Sequence, residues 1–127
     1  MSDIPTDRKY SKSHEWFLVT GDEVIVGITQ FAADALTDVT FVDLPAVGTK
    51  VEAGKPFGEI ESVKATSELF TFIAGEISAI NESLNDSPEL VNSDPYNDGW
   101  MVRIKASDKS ALASLMDADA YKQMASG

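Results

Sequence analysis

The sequence predicts a β-rich barrel or sandwich with short flanking helices and a C-terminal helix. Apolar and polar residues alternate in several short segments, the pattern of strands with one buried face. Gly48, Gly54 and Gly58 interrupt the middle of the chain at intervals too short for a helix, which favours turns and short strands. Apolar residues at helical spacing occur near residue 30 and close to the C-terminus.

The first predicted element is a β-hairpin at residues 16–29. Its two halves are rich in Val, Ile and Phe, and they flank a turn at Gly21. A short helix follows at 29–38, with Thr29 as its N-cap. The apolar residues at helical spacing in this segment are Phe31, Ala32 and Ala35.

Residues 38–45 return to a β pattern. We expect Val39, Phe41 and Leu44 to point inward, because side chains on a strand alternate between its two faces. Pro45 ends the strand, since proline cannot donate a ladder hydrogen bond.

A second hairpin is predicted around Lys64, in the sequence ESVKATSELF (61–70). The runs on either side of the lysine both alternate, and they meet at Val63-Lys64-Ala65. Lys64 therefore lies at or beside the hairpin tip, with its ammonium group in water. Before the tip, Ile60 and Ser62 share one face of the strand and Glu59, Glu61 and Val63 share the other. After the tip, the two faces hold Leu69, Thr71 and Ile73 on one side and Glu68, Phe70 and Phe72 on the other.

The last third of the chain is predicted as strand, turns, strand and helix. Residues 74–84 and 100–105 show strand patterns, and 85–100 is dense in turn-forming residues. The segment 107–125 is predicted to be helical, capped by Ser107 or Asp108. Its apolar stripe consists of Leu112, Leu115 and Met116.

Length and charge limit the possible functions. A chain of 127 residues suits a single domain over 1–127, with its β core at about 16–105 and the helical segment at about 107–125. The net charge of −11 disfavours nucleic acid and anionic membranes as partners. No apolar run approaches the roughly 20 residues of a membrane span, and the N-terminus lacks a signal-peptide core, so we expect a cytoplasmic, bacterial protein or one that is already processed.

Few side chains are available for catalysis. The chain has no cysteine and one histidine, His14, which excludes disulfides, thiolate nucleophiles and multi-histidine metal sites within one chain. Neither a serine nucleophile elbow nor a phosphate-binding loop is present. Any demanding chemistry would therefore come from a cofactor.

Lys64 admits three interpretations. The simplest is a charged turn residue. Schiff-base chemistry needs a depressed lysine pKa, whereas Glu61 and Glu68 nearby would favour the charged amine. Covalent acylation instead requires an accessible lysine, and the small Ala65 leaves room for a modifying enzyme. Lipoyl, biotinyl and acyl groups are all carriers of this kind, and a lipoyl dithiol would suit a chain that has no cysteine.

Seven segments together carry a resemblance to a known family. They are KYSKSHEW (9–16), VGIT (26–29), FVDLPAVG (41–48), ESVKATSEL (61–69), AGEISAINESL (74–84), SPELVNSDPY (87–96) and GWMVRIK (99–105). In this order and spacing, which covers nearly the whole chain, the sequence closely resembles the glycine cleavage H-protein family. Biotinyl domains differ, because they carry Met on each side of the lysine where this chain has Val63 and Ala65.

The resemblance implies a mainly β, hybrid barrel-sandwich fold with lipoate joined to Lys64 by an amide. It also implies three partners in a reaction cycle. A pyridoxal-phosphate glycine decarboxylase (P protein) loads an aminomethyl group, and a tetrahydrofolate-dependent aminomethyltransferase (T protein) removes it. Dihydrolipoyl dehydrogenase (L protein) then reoxidises the dithiol. The carrier itself would be a non-catalytic monomer.

The resemblance also implies two sets of site residues. Glu61, Val63, Ala65 and Gly75 would help the lipoylating enzymes to recognise the hairpin. Ser13, Glu15 and Glu68 would line a cleft that shelters the aminomethyl-lipoyl arm, where carboxylates can pair with its cationic amine.

Four features of the chain qualify this picture. Relatives commonly have aspartate where this chain has Glu68, and glycine where it has Thr37. Relatives also usually have a less aromatic, proline-containing stretch at 70–76. His14 is expected to pack and hydrogen-bond beside Trp16 rather than to transfer protons.

Two other functions stay open at this point. One is a lipoate relay to 2-oxoacid dehydrogenases, which uses the same lysine. The other is an unmodified acidic scaffold, which would have no need of the intact ESVKA turn. Salt-sensitive docking through the acidic surface would suit any of these roles.

Overall fold

The computed structural model describes residues 4–108 and 110–126, which form nine strands and four helices. The strands are β1 (Lys9–Tyr10), β2 (Glu15–Thr20), β3 (Glu23–Ile28), β4 (Val39–Asp43), β5 (Lys50–Val51), β6 (Lys55–Ser62), β7 (Thr66–Thr71), β8 (Ala74–Ile80) and β9 (Val102–Asp108). The α-helices are α1 (Gln30–Leu36), α2 (Ser83–Asp86), α3 (Leu90–Ser93) and α4 (Ala118–Ser126), and Ser110–Ser114 forms a 3₁₀ turn. In the described part of the chain, no helix is long and apolar enough to cross a membrane.

The strands form two antiparallel sheets that enclose one main core, which confirms the predicted mainly β sandwich. The first sheet has six strands in the order β1-β2-β3-β9-β8-β5, and the second has three in the order β4-β6-β7. In the described ranges these are two separate sheets rather than one closed barrel. Both contribute to the core, whose largest fully buried members include Phe17, Ile60, Leu69, Ile73, Ile77 and Ile104.

Both predicted hairpins are present. β2 and β3 are paired along their whole length, with Glu15 opposite Ile28 at one end and Thr20 opposite Glu23 beside the turn that contains Gly21. The last pair between β6 and β7 is Glu61 with Thr66, so the turn between the two strands contains Lys64. The alternation is also as predicted around the second hairpin. Its buried side chains are Ile60, Leu69, Thr71 and Ile73, whereas Glu59, Glu61, Val63 and Glu68 are exposed.

The prediction that Phe41 points inward is wrong. Val39 is 4% exposed as expected, but Phe41 is 48% exposed and its neighbour Val42 is buried instead. The reason is a β-bulge, because Val39 pairs with Ser62 and Phe41 pairs with Glu61. The extra residue moves every later side chain of β4 to the opposite face.

Residues 81–84 were expected to continue a strand, but β8 ends at Ile80. Asn81 terminates it by donating from Nδ2 to the carbonyls of Asp98 (2.7 Å) and Trp100 (2.8 Å). Its own carbonyl accepts from the backbone N–H of Leu84 (3.1 Å), which begins the turn of α2. The side-chain amide of Asn81 thus holds the loop at Asp98 and Trp100 against the end of β8.

The single C-terminal helix predicted over 107–125 is also wrong. Ser107 and Asp108 belong to strand β9, and the predicted capping role of the Asp108 side chain lies outside the described residues. The helical region divides at Met116, whose backbone N–H and carbonyl pair with those of Tyr10 (2.9 and 2.8 Å). Asp117 then begins α4, since its Oδ1 accepts from the N–H of Ala120 (2.9 Å).

A second apolar cluster lies apart from the main core and anchors α4. Its buried members are Tyr10, Trp16, Ala118 and Tyr121. Gly27 leaves room for the Trp16 ring, because a Cβ at residue 27 would lie 2.6 Å from Cζ2 of the indole. The cluster joins the C-terminal helix to β1 and β2.

Helix α1 is held at both ends by side chains. The Thr29 hydroxyl accepts from the N–H of Ala32 (3.3 Å), which confirms the predicted N-cap. At the other end, Nδ2 of Asn92 donates to the carbonyls of Ala33 and Thr37. Oδ1 of Asn92 also accepts from the N–H of Val39 (2.9 Å), so one amide connects α1 to β4.

Thr37, which ends α1, has a backbone conformation that costs stability. Its φ is +63° and its ψ is −139°, a combination that a β-branched residue strongly disfavours and glycine adopts readily. We expect Thr37→Gly to raise the free energy of unfolding by about 1 kcal/mol, as relief of strain exceeds the entropy that glycine adds to the unfolded chain. Urea denaturation measures the change.

Thr40→Gly is the matched control. Thr40 lies in β4, where glycine weakens a strand, so this variant should lose stability. Equal losses in both variants would show that Thr37 is not strained.

Candidate functional site

The turn that contains Lys64 is braced by a serine. Ser62 donates its backbone N–H to the carbonyl of Ala65 (2.8 Å), which closes the turn. The Ser62 hydroxyl accepts from the N–H groups of Lys64 and Ala65, both at 3.1 Å. The backbone that presents the lysine is therefore fixed by local hydrogen bonds.

A second set of contacts ties this turn to the end of α1. The N–H of Val63 donates to the carbonyl of Asp38 (3.1 Å). Nζ of Lys64 donates to the carbonyl of Ala35 (3.3 Å), although the lysine is exposed. The predicted tip position is confirmed, and the ammonium group lies near the negative end of a short helix.

A cleft of about 480 Å³ lies between α1, the start of β2 and the free edge of β7. The structure brings Ser13, Glu15 and Glu68 together at this cleft. Ala35 links it to the turn, because this residue lines the cleft and its carbonyl accepts from Lys64. The apolar part of the lining comes from Ile28, Phe31, Ala32, Leu36, Ile60, Leu69 and Phe70.

Glu15 is a buried carboxylate at the wall of this cleft. It is 2% exposed, and its Oε1 accepts hydrogen bonds from the hydroxyls of Ser11 and Ser13. Its Oε2 accepts from the backbone N–H of Phe70 (3.2 Å) on β7. Burial raises the pKa of Glu15, and these three donors oppose that rise by stabilising the ionised form.

The raised pKa predicts a specific pH dependence of stability. The folded protein holds the Glu15 proton more tightly than the unfolded chain, whose ordinary pKa is 4.5. The contribution of Glu15 to stability is therefore full below about pH 4.5 and is lost as the pH rises through the higher folded pKa. We expect the free energy of unfolding of the wild type, minus that of Glu15→Gln, to fall with rising pH in this window.

Urea denaturation from pH 4 to pH 8 tests this prediction. Ser11→Ala removes one donor from the ionised carboxylate, so it should move the window to higher pH. A difference that rises with pH would contradict the direction of the shift.

His14 lies at the same cleft, but its neighbours differ from those expected. Its ring packs on Phe31 at a tilt of 33°, with centroids 4.7 Å apart, and its Nδ1 hydrogen-bonds the hydroxyl of Tyr121 (2.7 Å). Tyr121 is not predictable from the sequence, because no local pattern relates a residue of α4 to one that is 107 positions away. Ser11 could have been identified, since it lies two residues before Ser13 in the same polar run.

The four residues expected to guide lipoylation do not lie together. Glu61, Val63 and Ala65 are exposed on or next to the turn. Gly75 lies in the other sheet, beyond the end of β7 that is remote from the turn. A Cβ at Gly75 would lie 2.2 Å from the carbonyl oxygen of Lys105, so close strand approach requires glycine here.

Known proteins resemble this chain over nearly its whole length. The sequence model of the family described as "Glycine cleavage H-protein" matches residues 8–127. This chain belongs to the glycine cleavage H-protein family. Members of the family carry lipoate on a lysine, and the chain is the lipoyl carrier subunit of a glycine cleavage system, which has several enzymes.

Individual relatives cover almost the whole chain. The glycine cleavage system H protein of Klebsiella pneumoniae is 54% identical over 98% of this chain and 97% of its own length. That of Halalkalibacterium halodurans is 50% identical over 99% and 98%, respectively. The crystal structure of a glycine cleavage system H protein from Mycobacterium marinum matches with a TM-score of 0.88 and 38% identity, covering 98% of this chain and 100% of that one.

Proposed function

We propose that Lys64 is the residue that carries lipoate, and that the cleft beside it receives the loaded end of the arm. The observation that carries this proposal is the position of Ala35, which contacts Nζ of Lys64 and also lines the cleft. An arm that begins at this lysine therefore starts at the rim of the cleft. Bound lipoate supplies a dithiol that accepts and releases an aminomethyl group.

The residues present fit such a group. The exposed Lys64 can form an amide with an activated lipoyl carboxyl group, and this removes the lysine charge. The apolar wall of α1 suits a hydrocarbon chain, and the volume of about 480 Å³ suits its end. Both properties support a folded-back arm.

Glu15, Glu68 and Ser13 would hold the cationic amine at the end of the arm. Glu15 is fixed by three hydrogen bonds and keeps lone pairs on Oε2, which accepts only one of them. Glu68 is exposed, so its longer side chain can follow the amine as it enters or leaves. Neutralising the amine in a sheltered cleft slows attack by water on the carbon–sulfur bond.

The carrier itself would catalyse none of the reactions. It would pass in turn to the glycine decarboxylase, the aminomethyltransferase and dihydrolipoyl dehydrogenase, in the bacterial cytoplasm and as a monomer. The exposed turn supports this proposal, since three different active sites must each reach the same arm.

Recognition by the lipoylating enzymes would depend on the exposed side chains of the turn. Glu61 offers a carboxylate at the last ladder pair, and Val63 is 70% exposed next to the lysine. Ala65 leaves space over the tip. Gly75 would contribute through the fold, because it allows β8 to pack closely on β9.

Intact mass measurement with peptide mapping tests the proposal. The protein is produced in cells that receive lipoate and a competent lipoate ligase. We expect one lipoyl increment, located on Lys64. An unmodified Lys64, in cells where the same ligase modifies a control lipoyl domain, would instead favour the acidic scaffold.

A further inference from the structure

A chain of hydrogen bonds connects the C-terminal helix to the wall of the cleft. The hydroxyl of Tyr121 lies 2.7 Å from Oγ1 of Thr29 and 2.7 Å from Nδ1 of His14. Thr29 and Tyr121 are 0% and 1% exposed, so water does not substitute for these contacts. Three separate elements therefore meet at one phenol oxygen.

The direction of these hydrogen bonds follows from counting protons. Oγ1 of Thr29 already accepts from the N–H of Ala32. If Thr29 donates to Tyr121 and Tyr121 donates to His14, every hydroxyl proton has an acceptor. In the opposite direction, Tyr121 donates to Thr29, and the Thr29 proton has no acceptor among the described residues. A buried donor without a partner is costly, so the first direction prevails.

This direction fixes the state of the imidazole. A nitrogen that accepts a hydrogen bond from the Tyr121 hydroxyl cannot itself carry a proton, so His14 is neutral and its proton is on Nε2. Two shifts agree with this assignment. Burial lowers the pKa of His14, and burial raises the pKa of Tyr121 to about 12, so the phenol stays protonated.

We propose that Tyr121 is a positioning residue of the arm cleft, which holds His14 as the neutral tautomer protonated on Nε2. This proposal rests on the function of the cleft proposed above. The other titratable groups around His14 are Glu15 and Glu68 in the cleft, and Asp34, Tyr96 and Lys122 in the adjoining depression next to Tyr121. A neutral His14 adds no positive charge to the wall, so Glu15 and Glu68 attract the amine unopposed.

The consequence concerns how long the loaded arm survives. Loss of the aminomethyl group is a hydrolysis, in which water breaks the carbon–sulfur bond and gives the thiol, formaldehyde and ammonia. A cationic His14 would repel the ammonium group and favour an arm exposed to water. Tyr121, which lies on helix α4 outside the β core, therefore protects the aminomethyl group from hydrolysis.

The first experiment is ¹⁵N NMR of the imidazole. His14 is the only histidine in the chain, so its signals need no assignment. We expect the wild type at neutral pH to show Nε2 protonated and Nδ1 bare, and Tyr121→Phe to show a tautomer mixture and a higher His14 pKa. A wild type protonated on Nδ1, or an unchanged spectrum in Tyr121→Phe, would overturn the proposal.

The second experiment measures ammonia release from the loaded carrier in the absence of the aminomethyltransferase. We expect release from Tyr121→Phe to be about three- to tenfold faster, the range that one neutral hydrogen bond gives. Equal rates would overturn the protective role. The NMR experiment uses the unmodified chain, so it determines the tautomer of His14 even if Lys64 carries no lipoyl group.

Tyr10→Phe is the matched control. The Tyr10 ring stacks on Tyr121 with centroids 4.9 Å apart, and its hydroxyl donates to the carbonyl of Pro5. This variant removes a phenol hydroxyl from the same cluster without touching His14. Both the NMR spectrum and the release rate should match the wild type, whereas a Tyr121-like effect would show that the cluster acts only through its stability.

Discussion

Lys64→Arg is expected to abolish lipoylation and, with it, all glycine cleavage supported by this carrier. Arginine keeps the positive charge and can still donate to the carbonyl of Ala35. A guanidinium group stays protonated and does not form the amide, so no arm can be attached. The turn itself should persist, because Ser62 and the backbone hold it. Intact mass and a reconstituted glycine cleavage assay measure the two losses.

Lys55→Arg is the control for this experiment. Lys55 is exposed at the opposite end of β6, and its replacement should leave both lipoylation and activity unchanged. Glycine cleavage by Lys64→Arg at more than trace levels would show that another residue carries the group. Circular dichroism of both variants confirms that any loss is chemical and not structural.

Gly75→Ala should give the largest loss of stability among these variants. The added methyl group would lie 2.2 Å from the carbonyl oxygen of Lys105 and 2.9 Å from Cγ2 of Ile104. Neither can yield freely, since the first belongs to the paired strand β9 and the second is a buried core residue. We expect a decrease of about 3 kcal/mol in the free energy of unfolding, which urea denaturation measures.

Gly54→Asn serves as the control for crowding. Gly54 has a φ of +82° but no atom within 4 Å of its added Cβ, and asparagine tolerates that conformation. Its loss should be well below that of Gly75→Ala. The rate of lipoylation, measured on the folded fraction of Gly75→Ala, then separates the two roles of this glycine. A normal rate indicates a purely architectural residue, and a reduced rate indicates direct recognition.

The sequence predicted those features that depend on local pattern. Alternation on each side of Lys64 specified the hairpin and separated Ile60 and Leu69 from the carboxylates next to them, because period-two patterning requires only adjacent residues. Thr29 was identified as a helix cap because capping also depends only on residues that are close in the sequence. The family resemblance, rather than the pattern, indicated the cleft residues Ser13, Glu15 and Glu68.

The features that were missed depend on contacts between distant residues. The β4 bulge that exposes Phe41 is set by its register with β6, which alternation along one strand does not reveal. The helix predicted at 107–125 divides because Met116 pairs with Tyr10, a residue over 100 positions away. The same separation hid the bond between Tyr121 and His14. Tertiary contacts override local propensity in each case.

The position of Glu15 against β7 also bears on how this carrier stays dispersed. β7 is the last strand of its sheet, and a strand at an edge offers unpaired N–H groups to strands of other molecules. Glu15 occupies the N–H of Phe70 with a carboxylate, and a charge directed at an edge deters a second backbone from adding there. The side chain that we propose as a partner of the amine would therefore also protect this sheet edge against intermolecular strand addition. A shuttle can then be abundant and keep an open cleft without aggregating along it.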